Sequence, residues 1–219
     1  MASPSFESGR PGSQEVSLSR LLEKTLRRSQ ALDTESLCLI AAQKVWSIRA
    51  DVHVLSHDGN LVDASCIAVL AALQHFKRND TSIEGESVTV YTPAERAPVP
   101  LSILHQPFCV TFASFHPAVQ GTSSHRAEAE QEELVLLDPT ALEEKLADGS
   151  VTISLNRHQE ICQIAKGGGV PIDALTLLNC AMVAGERVKA LDKLVKEKLK
   201  EDESMRSAGK ELLSAANAR

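Results

Sequence analysis

The stretch that decides the fold is residues 46–76, WSIRADVHVLSHDGNLVDASCIAVLAALQHF. Its first part, from Trp46 to Val54, alternates apolar with polar residues, and this period of two predicts a half-buried strand. The four residues 57–60, HDGN, are typical of a turn. Leu61 to Phe76 is apolar almost all round and rich in Ala, Ser and Cys, which predicts a helix packed closely against a sheet.

Helical periodicity also lies on both sides of this stretch. Gln14 to Gln30 carries leucines at helical spacing, at 18, 21, 22 and 26, and predicts a helix that docks on a core. A second helix is predicted to open at Pro171 and to run to about Lys200. The segments between are predicted as strands at about 88–91, 101–105, 108–115 and 134–137, a short helix at 140–147, and a hairpin of 151–155 with 161–165. This order predicts an α/β or α+β domain with segregated layers.

The distribution of polar residues predicts the domain boundaries. Residues 1–12 are rich in Ser, Pro and Gly and are expected to be a flexible lead-in to a domain spanning residues 13–200. Residues 116–133 lose all periodicity and become acidic, which predicts a mobile surface insertion. Residues 201–219 are expected to form a charged tail.

The composition excludes several classes of protein. The chain has 219 residues, of which 43% are hydrophobic and 24% charged, as in ordinary globular proteins. Its net charge of −6 argues against a polybasic nucleic-acid binder, and only 3% of residues are aromatic, which leaves little for base stacking. No apolar run is long enough to span a membrane, so we expect no membrane partner. Five cysteines without a CxxC pair are expected to be buried free thiols.

One local cluster of positive charge stands out against this acidic background. Arg20, Lys24, Arg27 and Arg28 recur at i, i+4, i+7 and i+8, on a different side of the first helix from its leucines. We call these four residues the basic arc. Two interpretations are open, a solvated helix face and a ridge that contacts the phosphates of a nucleic acid.

The sequence offers weak candidates for chemistry. The turn at 58–63 has a geometry that suits an anion, but Leu61 and Val62 stand where a hydroxyl and a cation are needed, and Asp63 adds a repelling charge. Four acidic residues are either a metal or acid-base site or simply solvated: Asp138, Glu143, Glu144 and Asp148. No nucleophile elbow or Walker loop is present. We therefore predict no catalytic residue, no metal ligand and no cofactor.

Three longer stretches are recognisable as a family. They are LDTESLCLIAAQKVWSIRADVHVLSHDGNLVDASCIAVLAALQHFKR (32–78), YTPAERAPVPLSILHQPFCVTFASF (91–115) and LLDPTALEEKLADGSVTISLNRHQEICQIAKGGG (136–169). The chain closely resembles the ribonuclease PH-like subunits of the eukaryotic RNA exosome, especially the fungal ones, over about Arg20 to Lys200. The resemblance implies a ribonuclease PH-like fold related to the second domain of ribosomal protein S5. It also implies a place in a six-membered ring through which RNA is threaded.

The same resemblance implies a subunit without catalysis. Active relatives carry a Gly, Ser/Thr, Arg phosphate loop, where this chain has Asn60, Leu61 and Val62, and two aspartates six residues apart, where it has Glu144 and Ser150. We therefore expect a non-catalytic ring subunit that scaffolds the exosome and lines the RNA path in 3′-to-5′ RNA processing and degradation, including rRNA maturation and mRNA turnover. The alternatives are an active phosphate-dependent 3′-to-5′ exoribonuclease and a truncated isoform that cannot assemble.

The resemblance also implies partners and a location. The expected partners are other ribonuclease PH-like ring subunits, cap subunits with S1 and KH modules, and RNA contacted by the basic arc, in which Arg27 matches an arginine of relatives. The expected compartments are the nucleus and nucleolus, and also the cytoplasm. Family members have further upstream residues that include their first strands. We therefore expect an N-terminally truncated domain whose sheet, with its strand at 46–54, has an unpaired edge or an uncovered face.

Overall fold

The computed structural model describes residues 12–116, 134–169 and 171–217, together with Gly9, and the side chains of these residues as far as Ser207. Within them the helices are α1 (Ser13–Glu23), α2 (Leu61–His75), α3 (Ala141–Leu146) and α4 (Ala174–Asn217). The strands are β1 (Cys38–Ile40), β2 (Lys44–Val45), β3 (Lys77–Arg78), β4 (Thr81–Glu84), β5 (Ser87–Val90), β6 (Val99–Pro100), β7 (Phe108–Phe115), β8 (Leu134–Leu137), β9 (Gly149–Leu155) and β10 (Ile161–Gly168). The expected lead-in at residues 1–12 and insertion at 116–133 lie almost wholly outside the described residues.

A four-stranded antiparallel sheet forms the centre of the fold. Its strands lie in the order β10-β9-β7-β8, and β7 pairs with β9 from Phe108 opposite Leu155 to Ser114 opposite Gly149. Almost every residue of β7 and β9 is buried, although the two strands alternate large and small side chains. A strand buried on both of its faces requires a covering layer on each side of the sheet.

The two faces of the sheet differ in chemistry. Phe108, Val110 and Phe112 share one face with their partners from β9, and Phe112 lines a small gap together with Leu177 and Cys180 of α4. Cys109, Thr111 and Ala113 share the opposite face, where Thr111 bonds to Asp63 of α2. Large apolar side chains therefore pack on α4, and small or polar ones allow α2 to approach closely. This three-layer arrangement confirms the predicted α/β class.

The prediction of a strand at 46–54 was wrong. β2 ends at Val45, and within the described part of the chain residues 46–54 pair with no other strand. Trp46, Ile48 and Val54 are half-buried, whereas Val52 remains 41% exposed. An alternating pattern indicates which side chains turn inward, but a strand also needs a neighbour that completes the ladder of hydrogen bonds.

Three other predicted boundaries were also wrong. In the segment 101–105, a single bridge joins Ile103 to Leu32, in place of a strand. The last helix begins at Ala174 rather than at Pro171. At its other end the helix passes Lys200 without a break. Beyond that point Asp202 lies 3.2 Å from His75, the last residue of α2, and Glu203 lies 2.9 Å from Lys77 of β3. The charged tail predicted at 201–219 is therefore largely the continuation of α4.

The first helix changes its geometry at the basic arc. After α1 the residues Lys24–Arg28 form a π-helical turn, and the N–H of Ala31 donates to the carbonyl oxygen of Leu26, five residues earlier, at 3.1 Å. Such wide turns are rare and are frequent at functional sites. Three of the four leucines predicted to dock on the core do so, since Leu21, Leu22 and Leu26 pack against the central cluster, while Leu18 is half-buried outside it.

Candidate functional site

The turn that leads into α2 is clamped against the start of α3. Gly59 has a φ of +104°, and a Cβ at this position would lie 2.4 Å from the carbonyl oxygen of Pro139. The carbonyl of Asp58 accepts a hydrogen bond from the N–H of Ala141 at 3.0 Å. The turn therefore needs glycine both for its backbone conformation and for this close approach.

The positive end of the α2 dipole is occupied by carboxylates of the chain itself. Asn60 caps α2 with a φ of +42°, and its backbone N–H donates to Oε1 of Glu144 at 2.8 Å. Its side-chain amide donates to Asp138 and, at 2.9 Å, to Oδ2 of Asp63. Three carboxylates thus surround the residue at which a helix N-terminus would otherwise present its N–H groups to an external anion.

Asp63 connects this turn to the sheet. Its carboxylate accepts hydrogen bonds from the N–H of Thr111 at 2.9 Å and from the Thr111 hydroxyl at 2.7 Å. Burial raises the pKa of Asp63, although the bonds from Asn60 and Thr111 act in the opposite direction. The Thr111 hydroxyl also contacts that of Thr152, at 3.0 Å. The network fixes the start of α2 on the small-residue face of the sheet. Sequence spacing gave no signal that Thr111 would be its partner.

The four acidic residues considered from the sequence do not converge on one site. Asp138 and Glu144 meet at Asn60, while Glu143 caps α3 by accepting from the N–H of Thr140 at 2.8 Å, a bond that lowers the pKa of Glu143. Asp148 accepts from the N–H of His116 at 2.8 Å. No group of three or more His, Cys, Asp or Glu side chains in the described residues is arranged to hold a metal ion. These carboxylates therefore act in helix capping and loop anchoring.

A second buried polar cluster anchors the basic arc from behind. Thr25 is fully buried, and its hydroxyl lies 3.3 Å from Oγ of Ser154 and 3.2 Å from Oε1 of Gln163. The Cys109 thiol lies 3.2 Å from the same Ser154 oxygen, and its hydrogen bond with Cys66 lowers the pKa of Cys109. The five cysteines are free, as predicted, although Cys38 is exposed and Cys162 only half-buried.

The basic arc is exposed to solvent along its length. Arg20 lies in α1, and Lys24, Arg27 and Arg28 lie in the π-helical turn that Thr25 holds against the sheet. The Arg27 guanidinium lies 3.3 Å from the carboxylate of Glu23, in a pair whose side chains are 78% and 50% exposed. The other three cations have no carboxylate within ion-pair distance among the described side chains. The arc thus presents net positive charge on a fixed backbone.

Open space separates residues 46–55 from the two helices next to them. A cavity of about 1040 Å³ lies between α1, α2 and residues 48–55, and a second of about 740 Å³ lies between α2 and residues 46–53. Arg27 and Glu144 both line the first cavity, so it connects the basic arc with the start of α2. Within the described residues, no helix is both long and apolar enough to cross a membrane.

Comparison with known proteins shows which family has this architecture. Residues 1–79 match domain 1 of the 3′ exoribonuclease family, RNase PH, and residues 105–187 match domain 2 of the same family. The Schizosaccharomyces pombe protein "Exosome complex component rrp45" is 48% identical over 202 residues, which are 92% of this chain and 65% of that protein. Its Saccharomyces cerevisiae counterpart is 45% identical over all of this chain and 72% of its own length. The rat counterpart is 46% identical over 95% of this chain.

Solved structures agree with this assignment. The structure described as "archaeoglobus fulgidus exosome with RNA bound to the active site" matches with a TM-score of 0.67 and 27% identity, over 88% of this chain and 65% of that chain. An "Archaeal exosome core" matches with a TM-score of 0.58 and 25% identity, over 87% of this chain and 65% of that chain. The present chain spans 65% of the fission yeast relative and 45% of the rat relative.

Proposed function

The chain belongs to the 3′ exoribonuclease (RNase PH) family, and from this premise we propose that it is a non-catalytic ring subunit of the RNA exosome. In this role it scaffolds the complex together with other ribonuclease PH-like ring subunits and with cap subunits that carry S1 and KH modules. It contributes a surface to the RNA path used in 3′-to-5′ processing and degradation. The names of its relatives support this proposal.

The main support for a subunit without catalysis is the hydrogen bond from the backbone N–H of Asn60 to the carboxylate of Glu144. Phosphate-dependent cleavage of RNA requires a site for inorganic phosphate, and a helix N-terminus is a common place for one. Here the Glu144 carboxylate accepts the Asn60 N–H at 2.8 Å, and Asp63 and Asp138 stand on the same residue. A phosphate would have to displace one carboxylate and approach two more, against the repulsion of like charges. Leu61 and Val62 offer it no hydroxyl and no cation.

The basic arc is the surface that we propose for RNA. Three of its four cations are unpaired among the described side chains, and its backbone is held by the buried Thr25 and by three leucines. A row of Lys and Arg on a fixed element binds the phosphate backbone without reading the base sequence. The scarcity of aromatic residues agrees with contacts made through phosphate rather than by base stacking.

An activity assay tests the catalytic half of the proposal. The purified chain is incubated with a 3′-labelled RNA and inorganic phosphate, and the release of nucleoside diphosphates is followed. We expect none, and the Glu144→Ala variant should release none either, because removal of the carboxylate does not supply the missing cation and hydroxyl. Phosphate-stimulated release by the wild-type chain that Glu144→Ala changes would establish the alternative, an active exoribonuclease.

Affinity purification tests the scaffolding half. The tagged chain is expressed in its own cells and the co-purifying proteins are identified by mass spectrometry. Recovery of the ring and cap subunits is the expected result. Recovery of chaperones alone would contradict the proposal and would support the second alternative, a form that cannot assemble.

A further inference from the structure

A second basic surface lies on α4, away from the basic arc. Arg157, Lys189, Lys193, Lys196 and Lys200 line an open groove of about 460 Å³ between the β9–β10 turn and the helix. Two carboxylates, Asp192 and Glu197, complete its lining, so every residue that lines the groove is charged. The five cations and two carboxylates give this lysine groove an excess of positive charge, in a chain whose net charge is −6.

Helix periodicity aligns the four lysines. Positions 189, 193, 196 and 200 follow one another at intervals of four, three and four, which places their side chains on one side of α4 along about 16 Å of its length. The neighbouring positions Val188 and Val195 are buried in the core and fix the rotation of the helix. The lysine stripe is therefore set by the same packing that holds α4 on the sheet.

A rigid turn places Arg157 beside this stripe. The side-chain oxygen of Asn156 accepts hydrogen bonds from the N–H groups of His158 and Glu160, at 2.9 and 3.0 Å, and its amide donates to the Glu160 carboxylate. Asn156 is 4% exposed, so these bonds are shielded from water. The turn rests on Gly185 of α4, where a Cβ would lie 3.2 Å from Nε2 of Gln159. These contacts fix the backbone of the turn at Arg157, whose side chain is exposed.

The ion pairs inside the groove leave three cations without a partner. The Lys196 ammonium lies 2.7 and 2.8 Å from the two oxygens of the nearly buried Asp192. Lys193 and Glu197 are 3.9 Å apart, and their side chains are largely exposed. Arg157, Lys189 and Lys200 have no carboxylate within 4.0 Å in the described part of the chain. Close cations that lack counterions repel one another, and a bound polyanion relieves that repulsion.

We propose that the lysine groove binds the phosphate backbone of single-stranded RNA, as a site separate from the basic arc. The arc lies on the α2 side of the sheet and the groove on α4, which covers the opposite face. Protein interfaces are depleted of Lys, Asp and Glu at their centre, and an acidic protein segment would find no apolar anchor here. A phosphate backbone needs only an array of charges. The inference rests on the proposed function only in selecting RNA as the polyanion.

Binding of a labelled oligouridylate of about 12 nucleotides tests the site by fluorescence anisotropy across a salt series. The groove variant is Arg157→Gln with Lys189→Gln and Lys200→Gln in the full chain. The control variant removes the same charge away from α4, through Lys44→Gln, Lys145→Gln and Lys166→Gln, all of them exposed. Circular dichroism establishes that both variants fold. A labelled polyglutamate peptide of similar charge is the competing probe.

We expect the groove variant to bind about tenfold more weakly at low salt and to flatten the slope of log K against log salt by about 2, since each lost phosphate contact contributes about 0.7. The control variant should stay near wild type, and polyglutamate should bind more weakly than RNA. Equal loss in both variants, unchanged binding by the groove variant, or preference for polyglutamate would each overturn the proposal. Failure to recover exosome subunits from cells would instead contradict the proposed function, because this binding assay uses the isolated chain.

Discussion

The backbone N–H of Asn60 donates a hydrogen bond to Oε1 of Glu144 at 2.8 Å, between residues that lie 84 positions apart in the chain. This contact places a carboxylate of α3 at the positive end of the α2 dipole. A carboxylate of the chain itself therefore stands at a turn whose geometry would otherwise suit an external anion. It also makes the junction of α2 and α3 a point where single substitutions have distinct, measurable effects.

Replacement of Glu144 should weaken this junction. Glu144→Ala removes the acceptor of the Asn60 N–H and a negative charge near a helix N-terminus, and we expect the free energy of unfolding to fall by about 0.5–1 kcal/mol. Glu144→Gln keeps an acceptor oxygen and should cost less. Urea denaturation measures both, with Lys145→Ala on the exposed side of α3 as the control. Equal losses for Glu144→Ala and Lys145→Ala would contradict the assigned role.

Gly59 should tolerate no side chain. Gly59→Ala brings a Cβ to 2.4 Å from the carbonyl oxygen of Pro139 in a backbone with a φ of +104°, and should lower the free energy of unfolding by about 2 kcal/mol or more. Gly85→Ala is the matched control, because Gly85 also has a positive φ, of +62°, but has no atom within 4 Å of the added Cβ. The difference between the two melting temperatures measures the effect of the close contact with Pro139. A loss at Gly85 as large as that at Gly59 would argue against a steric role of this contact.

Asp63 should give the stability of the fold a particular pH dependence. Burial raises the folded-state pKa of Asp63 above its ordinary value near 3.8, so the folded chain holds this proton more tightly than the unfolded chain does. Its contribution to stability is complete below that value and is lost as the pH rises through the folded-state pKa. The Asp63→Asn variant lacks this titration and should be less stable, because both oxygens of Asp63 accept hydrogen bonds from Asn60 or Thr111, whereas Asn keeps only one acceptor oxygen.

The destabilisation of Asp63→Asn relative to wild type should therefore be largest at low pH and should decrease as the pH rises. Thermal melts of both chains at several values between about pH 3 and 7 measure this difference. Glu143→Gln is a useful contrast, because the pKa of this exposed carboxyl is shifted in the opposite direction. The hydrogen bonds from Thr140 lower the pKa of Glu143, whereas burial raises that of Asp63. A destabilisation by Asp63→Asn that grows with pH would refute the assignment.

The buried hydroxyl of Thr25 should contribute measurably to the stability of the fold. Thr25→Val keeps the shape of the side chain but leaves Ser154 and Gln163 without this partner, and we expect a loss of about 1–3 kcal/mol in the free energy of unfolding. The same substitution at the exposed Thr34 should be nearly neutral. Guanidinium denaturation provides the measurement. A neutral result at Thr25 would mean that the hydroxyl network contributes little.

The basic arc should bind RNA through charge alone. Arg20→Gln combined with Arg28→Gln removes two exposed cations. For oligouridylate binding, the slope of log K against log salt should become less steep by about 1.4. Arg49→Gln with Lys145→Gln removes the same charge at other exposed positions and is the control. Substitution of the bases in the probe should change affinity little, because phosphates carry no sequence information. An arc variant that behaves like its control would leave the arc as a solvated helix face.

The fold prediction succeeded where local patterns are sufficient. The period of two in β7 and the apolar run of α2 each predict an element whose bounds the structure reproduces closely. The same period of two failed at Trp46 to Val54, since pairing with another strand depends on what lies beside the segment. The end of α4 was misplaced for a related reason. Its charged residues carry no apolar stripe, and the sequence did not show that Asp202 and Glu203 lie beside His75 and Lys77.

The sequence by itself determined the helices and strands of the core, the family resemblance, and the position of the basic arc beside a leucine stripe. These follow from periodicity and from residue identity, which are local properties. Only the tertiary structure decided that Glu144 closes the N-terminus of α2, that Asp63 bonds to Thr111, and that Arg157 joins a lysine stripe more than thirty residues further along the chain. Hydrogen bonds and electrostatic fields depend on distances in space, and packing of α2 and α4 on opposite faces of one sheet sets those distances.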